Sequence, residues 1–386
     1  ISSRFKGTSF LSKAILFVVN SAEFFLSHRL PVALAAQKAG LEVHVATNGG
    51  VSVREIERWG LQHHTVPISR SRQNPFAELV TIFNLYQLFR RLKPNLVHLI
   101  TIKPVLYGGI AARLSGGPAV VAAVSGLGTV FVAQSFSAGA RRFLVSVLYR
   151  MAFKHRRLAV IFQNPDDRDA LLGISALEKW QARMIRGSGV SLDDYSYKSE
   201  PEGVPVVVMA SRLLRDKGVY EFVKAARLLK ARHVPVLMRL IGAPDPGNPT
   251  SVRQAELDGW AVEGVVEVLG YRSDIANQYA AANIVCLPSY REGLPKGLVE
   301  AAACGRSVVT TDVPGCRDAI EPGVTGVLVP VKSATALADA IQKLIEDPET
   351  RFRMGGAGRK LAEEAFSIDR ITEQHLQIYE ALLADD

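Results

Sequence analysis

The sequence predicts an α/β protein made of two Rossmann-like domains on parallel sheets. Apolar, β-branched runs alternate with segments of helical period along the whole chain, which is the pattern of βαβ units. The runs are too apolar for a half-solvated sheet, so they read as strands covered on both faces, as parallel strands are. The length, 386 residues, is about twice that of an ordinary domain, and residues 189–205 (GVSLDDYSYKSEPEGVP) replace the periodicity with polar residues, Gly and Pro. We therefore expect one domain over 1–198, a second over 199–368, and a C-terminal helix, 369–386, packing back toward the first.

In the first half the strands are expected at 14–19 (AILFVV), 41–47 (LEVHVAT), 95–100 (NLVHLI), 119–124 (AVVAAV) and 158–163 (LAVIFQ), with helices such as 28–40 and 76–92 between them. The second half repeats the scheme at 205–210, 234–242, 265–270, 283–288 and 306–311. Two such sheets with their carboxyl ends facing would form a central cleft, the default ligand site of this class.

Composition narrows the function classes. With 48% hydrophobic and 22% charged residues and no low-complexity tract, the chain is globular rather than disordered or fibrous. Three cysteines, Cys286, Cys304 and Cys316, are an odd number without zinc-ligand spacing, so neither a disulfide framework nor a zinc site is expected, and a reducing compartment is. The apolar run 14–19 is too short for a signal-peptide core. Arg150 interrupts the best apolar stretch, 143–153, so no span of about 18 to 20 residues crosses a bilayer, and a cytoplasmic location is expected. The net charge of +9 is uneven: residues 1–198 carry 25 Lys and Arg against 11 Asp and Glu, and the remainder carries 21 against 26. The basic half should face an anionic partner, be it a membrane surface, a phosphorylated substrate or nucleic acid. No nucleic-acid module or aromatic-interleaved basic motif is present, so nucleic acid is the weakest of these. Segment 140–157 mixes Phe143, Leu144, Leu148, Tyr149 and Phe153 with Arg141, Arg142, Arg150, Lys154, Arg156 and Arg157, and reads equally as an interfacial helix or as a buried helix with a charged end.

The densest chemistry lies in 283–315 (NIVCLPSYREGLPKGLVEAAACGRSVVTTDVPG). A strand ends at Pro288, a loop carries Glu292 and Gly293, Pro295 suits a first helical turn, and Gly305 stops the helix. That helix start offers N–H groups and a positive dipole to an anion. Eight residues separate Glu292 from Glu300, about 80° and roughly 12 Å if both were helical, so the two cannot share one metal or one proton but can hold two ends of an elongated polar ligand. Glu300 sits among small apolar residues, an odd place for a surface charge. In 210–218 (ASRLLRDKG), Arg212 and Lys217 follow the first strand of the second half and suit a diphosphate. His28, His98 and Lys103 lie near strand ends or helix starts of the first half and are cleft candidates. Asp167 and Asp169 imitate a metal-binding DxD, but Asn164 reads as an N-cap, Pro165 as N1, and the acids as first-turn complements to the dipole, so no metal is expected.

The E-x7-E pattern with its GLPKG turn, followed by VVTTDVPGCRDAIEPGVTGVLVP, resembles the signature of retaining family 4 glycosyltransferases, which have the GT-B fold. The resemblance implies that Glu292 holds donor-sugar hydroxyls, that Glu300 holds the nucleotide ribose, that Arg212 and Lys217 stabilise the leaving diphosphate, and that Gly293, Leu294, Pro295 and Lys296 line the donor site. Residues 20–36, 98–114, 124–131 and 160–169 are similar to the branch that extends polyprenyl-diphosphate-linked glycans for O-antigen, capsule or protein glycosylation. Many of its members carry a His where this chain has Ser125, which leaves the acceptor-side base open. The reading is thus a metal-independent, cofactor-free retaining transferase that moves an N-acetylhexosamine or hexose from a UDP-sugar to a lipid-linked saccharide at the inner membrane face. A sugar-nucleotide epimerase of the same fold and a non-catalytic nucleotide-sugar-binding module are the alternatives. A dinucleotide oxidoreductase is disfavoured because the first strand runs into NSAEFF rather than a G-x-G-x-x-G turn.

Overall fold

A computed structural model describes residues 13–68, 75–127, 136–245 and 247–384, without the side chains of 75 and 136–142. The N-terminal stretch 1–12, residues 128–131 of the VSGLGTVF motif and the side chains of Arg141 and Arg142 therefore lie outside the described residues. The chain divides into two units, one ending at Ser188 and resuming at Asp369, the other running from Gly189 to Ile368.

In the first unit the strands are β1 (Ala14–Val18), β2 (Glu42–Thr47), β3 (Gln62–Thr65), β4 (Leu96–Ile100), β5 (Ala119–Val124), β6 (Leu158–Phe162) and β7 (Ala182–Met184). They form one parallel sheet in the order β3-β2-β1-β4-β5-β6-β7. Helices α1 (Ala22–His28), α2 (Leu30–Lys38), α3 (Val53–Arg58), α4 (Pro75–Leu92), α5 (Gly109–Ser115), α6 (Phe136–Phe153) and α7 (Pro165–Gly173) connect them, with a π-helical turn at Pro104–Gly108. β3 escaped the sequence reading because QHHT is polar, and β7 because it is a three-residue edge strand.

Side-chain alternation splits this unit's core in two. Leu16, Val18, Val97 and Leu99 pack with α4, α5 and α6, whereas Ile15, Phe17, Leu96 and Ile100 pack with α1, α2 and the C-terminal helix.

The second unit repeats the plan. Its strands are β8 (Val206–Ala210), β9 (Leu237–Ile241), β10 (Glu267–Gly270), β11 (Ile284–Leu287), β12 (Ser307–Thr311) and β13 (Gly326–Val329), all parallel, in the order β10-β9-β8-β11-β12-β13. Helices α8 (Val219–Ala231), α9 (Gln254–Glu263), α10 (Ile275–Ala280), α11 (Lys296–Ala303), α12 (Ala334–Glu346) and α13 (Pro348–Leu361) cover it, and α14 (Ile368–Ala384) leaves it for the first unit. Residues 189–198, placed with the first half by sequence, belong here. Val190 pairs with Phe366 and Ile368, Arg306 donates to the Lys198 carbonyl at 2.9 Å, and the buried Arg351–Glu200 pair at 2.8 Å pins the next turn of chain.

α14 seals a polar knot in the first unit. Tyr379 bonds His98 Nδ1 at 2.6 Å, His375 Nδ1 faces the Ile371 carbonyl at 2.7 Å, and the buried Arg29 donates to Ser188 and the His28 carbonyl. Burial, with Arg29 adding, pushes His375 down to about 3. The unfolded chain therefore binds a proton below pH 6.5 that the folded one refuses. That stability is whole above 6.5 and declines as pH falls toward 3, by about 2 kcal/mol at pH 5. Urea midpoints near pH 7 and 5 should show this loss shrinking in His375→Gln, and equal losses in both proteins would refute it.

Candidate functional site

Both sheets reverse strand order beside their first strand, between β1 and β4 and between β8 and β11, and in open parallel sheets ligands bind outside the carboxyl ends at that switch point. In the second unit the loops after β8 and β11 carry Arg212, Lys217 and Glu292. Gly218, at φ +78, holds the two loops together: a Cβ there would lie 2.1 Å from the Pro288 carbonyl oxygen. The Tyr290 N–H then bonds the Asp216 carbonyl at 2.8 Å. A third loop, after β12, supports the second: Gly315 at φ +82 leaves no room for a Cβ against the Glu292 and Gly293 carbonyls, and the Glu292 N–H reaches Pro314 O at 3.2 Å.

In this frame the Lys217 ammonium is ion-paired to Glu292 Oε1, and Ser289 Oγ donates to the same oxygen at 2.8 Å. The Glu292 side chain is 12% exposed, yet both its bonds use Oε1, which leaves the lone pairs of Oε2 for hydroxyl donors. Lys217 likewise has three donors and gives one to Glu292. Thr311 donates to the Ser289 carbonyl and Thr310 to the Leu287 carbonyl at 2.7 Å, which fixes the end of β11. Beneath them, burial and the charge of Glu292 push the Cys316 thiol up to about 12, so it is neutral and packing, not a nucleophile.

The other donor-site candidates are distributed differently. Arg212 Nη1 donates to Asp245 Oδ2 at 2.9 Å, across the ends of β8 and β9, with nearly half of its side chain exposed. Pro295 is the N-cap and not the first helical residue, because α11 begins at Lys296. Leu294 is buried in the core, while Lys296 ion-pairs Glu300 at 3.2 Å one turn along. Glu300 is buried and also accepts from Tyr195, whose phenol burial and that carboxylate hold well above its usual range. Ser289, Asp245, Thr310, Thr311 and Tyr195 were missed by the sequence reading. For Ser289 and the threonines, their place at the ends of strands beside the switch point was the available signal.

In the first unit neither expected cleft histidine closes a strand. His98 lies inside β4 on the α14 face, fully buried against Phe17 and Tyr379, and burial holds it well below the ordinary histidine range. His28 ends α1 and stacks on Phe24 at 4.1 Å. Lys103 does stand just beyond β4 but is paired with Glu78 at 2.7 Å. Ser125 closes β5, and Thr101 closes the neighbouring β4 with φ +72, a strained value for a β-branched residue. Both hydroxyl oxygens are sealed from solvent without a hydrogen-bond partner among the described residues. Asn164 caps α7, with Pro165 at N1. Asp167 is buried against that cap, whereas Asp169 pairs with Arg168 at 2.8 Å, so the two acids answer to different partners. In 140–157, Tyr149 and Phe153 are core, while Phe143 and Leu144 are exposed. Among the described residues no helix is long and apolar enough to cross a membrane.

Comparison with known proteins covers both units. The family model described as glycosyl transferases group 1 matches residues 195–361, and the one described as glycosyl transferase 4-like matches 14–164. N,N'-diacetylbacillosaminyl-diphospho-undecaprenol alpha-1,3-N-acetylgalactosaminyltransferase of Campylobacter jejuni is 29% identical over 93% of this chain and 98% of its own. The capsular polysaccharide biosynthesis glycosyltransferase CapM of Staphylococcus aureus is 25% identical over 90% and 92%. Among solved structures, Anabaena Alr3699/HepE in complex with UDP-glucose superposes with a TM-score of 0.75 at 20% identity, covering 96% of this chain and 99% of that one. Sucrose-phosphate synthase of Thermosynechococcus elongatus reaches 0.78 at 20% identity, covering 97% and 100%.

Proposed function

Because this chain belongs to the glycosyltransferases, group 1 by its second unit and 4-like by its first, we propose that it moves a sugar from a UDP-sugar to a lipid-linked saccharide with retention of configuration. It does so on the GT-B fold. The observation that carries the reading is the Lys217–Glu292–Ser289 cluster at the switch point of the second sheet, which sets a cation for a diphosphate beside a carboxylate for sugar hydroxyls. Departure of the nucleotide is the step to be assisted. Lys217, with Arg212 and the start of α11, stabilises the charge that develops on the diphosphate, which is electrostatic preorganisation and not covalent catalysis. The leaving oxygen takes the acceptor hydroxyl's proton on the same face, so no side-chain base is needed. The acceptor reading draws on the C. jejuni relative, whose own substrate is carried on undecaprenol diphosphate. The transferred sugar is an N-acetylhexosamine or hexose, delivered at the inner face of the cytoplasmic membrane.

UDP released from a UDP-sugar only when a lipid-linked acceptor is present is the expected result. Interconversion of the sugar without acceptor would identify an epimerase, and UDP-sugar binding without turnover a binding module. His233, the sole histidine of 189–368 and exposed beyond α8, gives an epimerase no imidazole at this site. Since side-chain cations and a helix start take the place of a metal, turnover should survive EDTA. Activity lost to chelation and restored by manganese would return Asp167 and Asp169 to consideration as ligands. Glu300→Ala should weaken UDP binding by about ten- to a hundredfold, the loss of one charge-assisted hydrogen bond. Equal UDP titrations for both proteins would remove Glu300 from the ribose.

A further inference from the structure

α4 carries a stripe the donor chemistry does not use. Phe76, Leu79, Val80 and Phe83 follow one another at the i, i+3, i+4, i+7 spacing of a single helical face, and all four are between 53% and 79% exposed. Phe143 and Leu144, on α6, are 69% and 59% exposed. Both helices pack on the same side of the first unit's sheet, through Leu85, Leu88 and Phe89 of α4 and Tyr149, Ala152 and Phe153 of α6. In a parallel sheet the connecting helices run against the strands, so the exposed residues, in the first halves of their helices, lie toward the carboxyl edge. The Lys103–Glu78 ion pair ties this part of α4 to the end of β4. Two exposed apolar groups on the same side of one sheet, each at its carboxyl edge, mark a contact surface.

Charge says what it contacts. From Leu79 to Pro165, the stretch holding most of α4 and the whole of α5 and α6, the sequence has not one Asp or Glu. Of its 11 Lys and Arg, Lys103, Arg141 and Arg142 belong to the carboxyl-edge ends of these elements, and the other eight, at the ends of α4, α5 and α6, belong to the opposite edge. Arg141 and Arg142 directly precede Phe143. An apolar stripe whose one acid, Glu78, is already paired with Lys103, and which leads into a chain segment free of acids, is complementary to an anionic lipid surface, where basic groups meet head groups and apolar side chains enter the acyl boundary. We infer that the first halves of α4 and α6 form a docking rim that seats the carboxyl edge of the first sheet on an anionic bilayer. The rim rests on the reading of a lipid-borne acceptor, which gives it its purpose. Lys154, Arg156 and Arg157, which the sequence singles out, sit at the other end of α6, where Arg157 bonds the Gly117 carbonyl at 2.9 Å just before β5.

The test is flotation of the whole chain with phosphatidylcholine vesicles, with and without phosphatidylglycerol, at low and high salt. Wild type should float with the anionic vesicles, less at high salt. The fourfold variant Leu79→Ser, Phe83→Ser, Phe143→Ser, Leu144→Ser should partition at least about tenfold more weakly, while its melting and its UDP titration match wild type, since exposed residues are changed. Lys154→Gln with Arg156→Gln should float nearly as wild type does. Wild type that binds UDP but no anionic vesicle, or a fourfold variant that floats like wild type, would overturn the rim while leaving the donor site standing. Vesicle binding without UDP binding would spare the rim and sink the transferase reading. A wild-type dimer made monomeric by the four changes, with no flotation, would give the stripe to a second copy of the chain and overturn the lipid assignment.

Discussion

Lys217→Met should lower kcat by about 10²- to 10³-fold while weakening UDP binding only about tenfold. Methionine keeps an unbranched stem of similar length and removes the ammonium. On the proposed reading a bound diphosphate would lose one charge-assisted hydrogen bond in the ground state, whereas the oxygen that leaves the sugar would gain its charge only as the bond breaks, so the larger loss should fall on the transition state. The change also leaves Glu292 without its cation, though Ser289 still donates to Oε1 at 2.8 Å, so the variant should fold. Lys217→Arg should recover part of kcat, because it restores the charge with a planar fork in place of a compact point donor. Single-turnover rates beside UDP titrations separate the two effects. An unchanged kcat in Lys217→Met would assign the Lys217–Glu292 pair to holding the loops together and nothing more.

Much of this site was legible in the sequence because its residues follow strands that had to be buried. Once 205–210 and 283–288 are read as buried parallel strands, the segments after them fall at one edge of one sheet; that the two strands are neighbours, so that Lys217 and Glu292 meet although 75 positions separate them, is what the structure adds. What the sequence could not show is which partner each charge chooses. Arg212 and Lys217 look alike along the chain, yet Arg212 reaches sideways to Asp245 after β9, while the tight passage at Gly218 turns Lys217 onto Glu292. His98 misled for a related reason. Its place in NLVHLI is near a strand end, but alternation sets it on the face that α14 covers, and α14 is remote in sequence. Polar strands such as β3 were invisible because hydrophobic periodicity, the signal used, is absent from them.

Gly218→Ala should be among the most damaging single methyl groups in the second unit, and it acts directly on the candidate site. Two penalties act at once. At φ +78 any side chain costs about 1 kcal/mol or more in backbone strain, and the added carbon would stand 2.1 Å from the Pro288 carbonyl oxygen and 2.7 Å from its carbon, backbone atoms that no rotamer change can move. Relief requires the loop after β8 to withdraw from the loop after β11, which loosens the Tyr290–Asp216 hydrogen bond and draws Lys217 from Glu292. The stability loss should be about 2 to 4 kcal/mol, and kcat should fall further than unfolding explains, since a displacement of about 1 Å in a positioned group can cost a hundredfold. Gly356→Ala, on α13 with nothing within reach of a Cβ and no positive φ, is the matched control and should melt with or above wild type. If Gly218→Ala kept wild-type kcat at a temperature where both proteins are folded, the close passage of the two loops would be a packing feature, and Lys217 would reach its place without it.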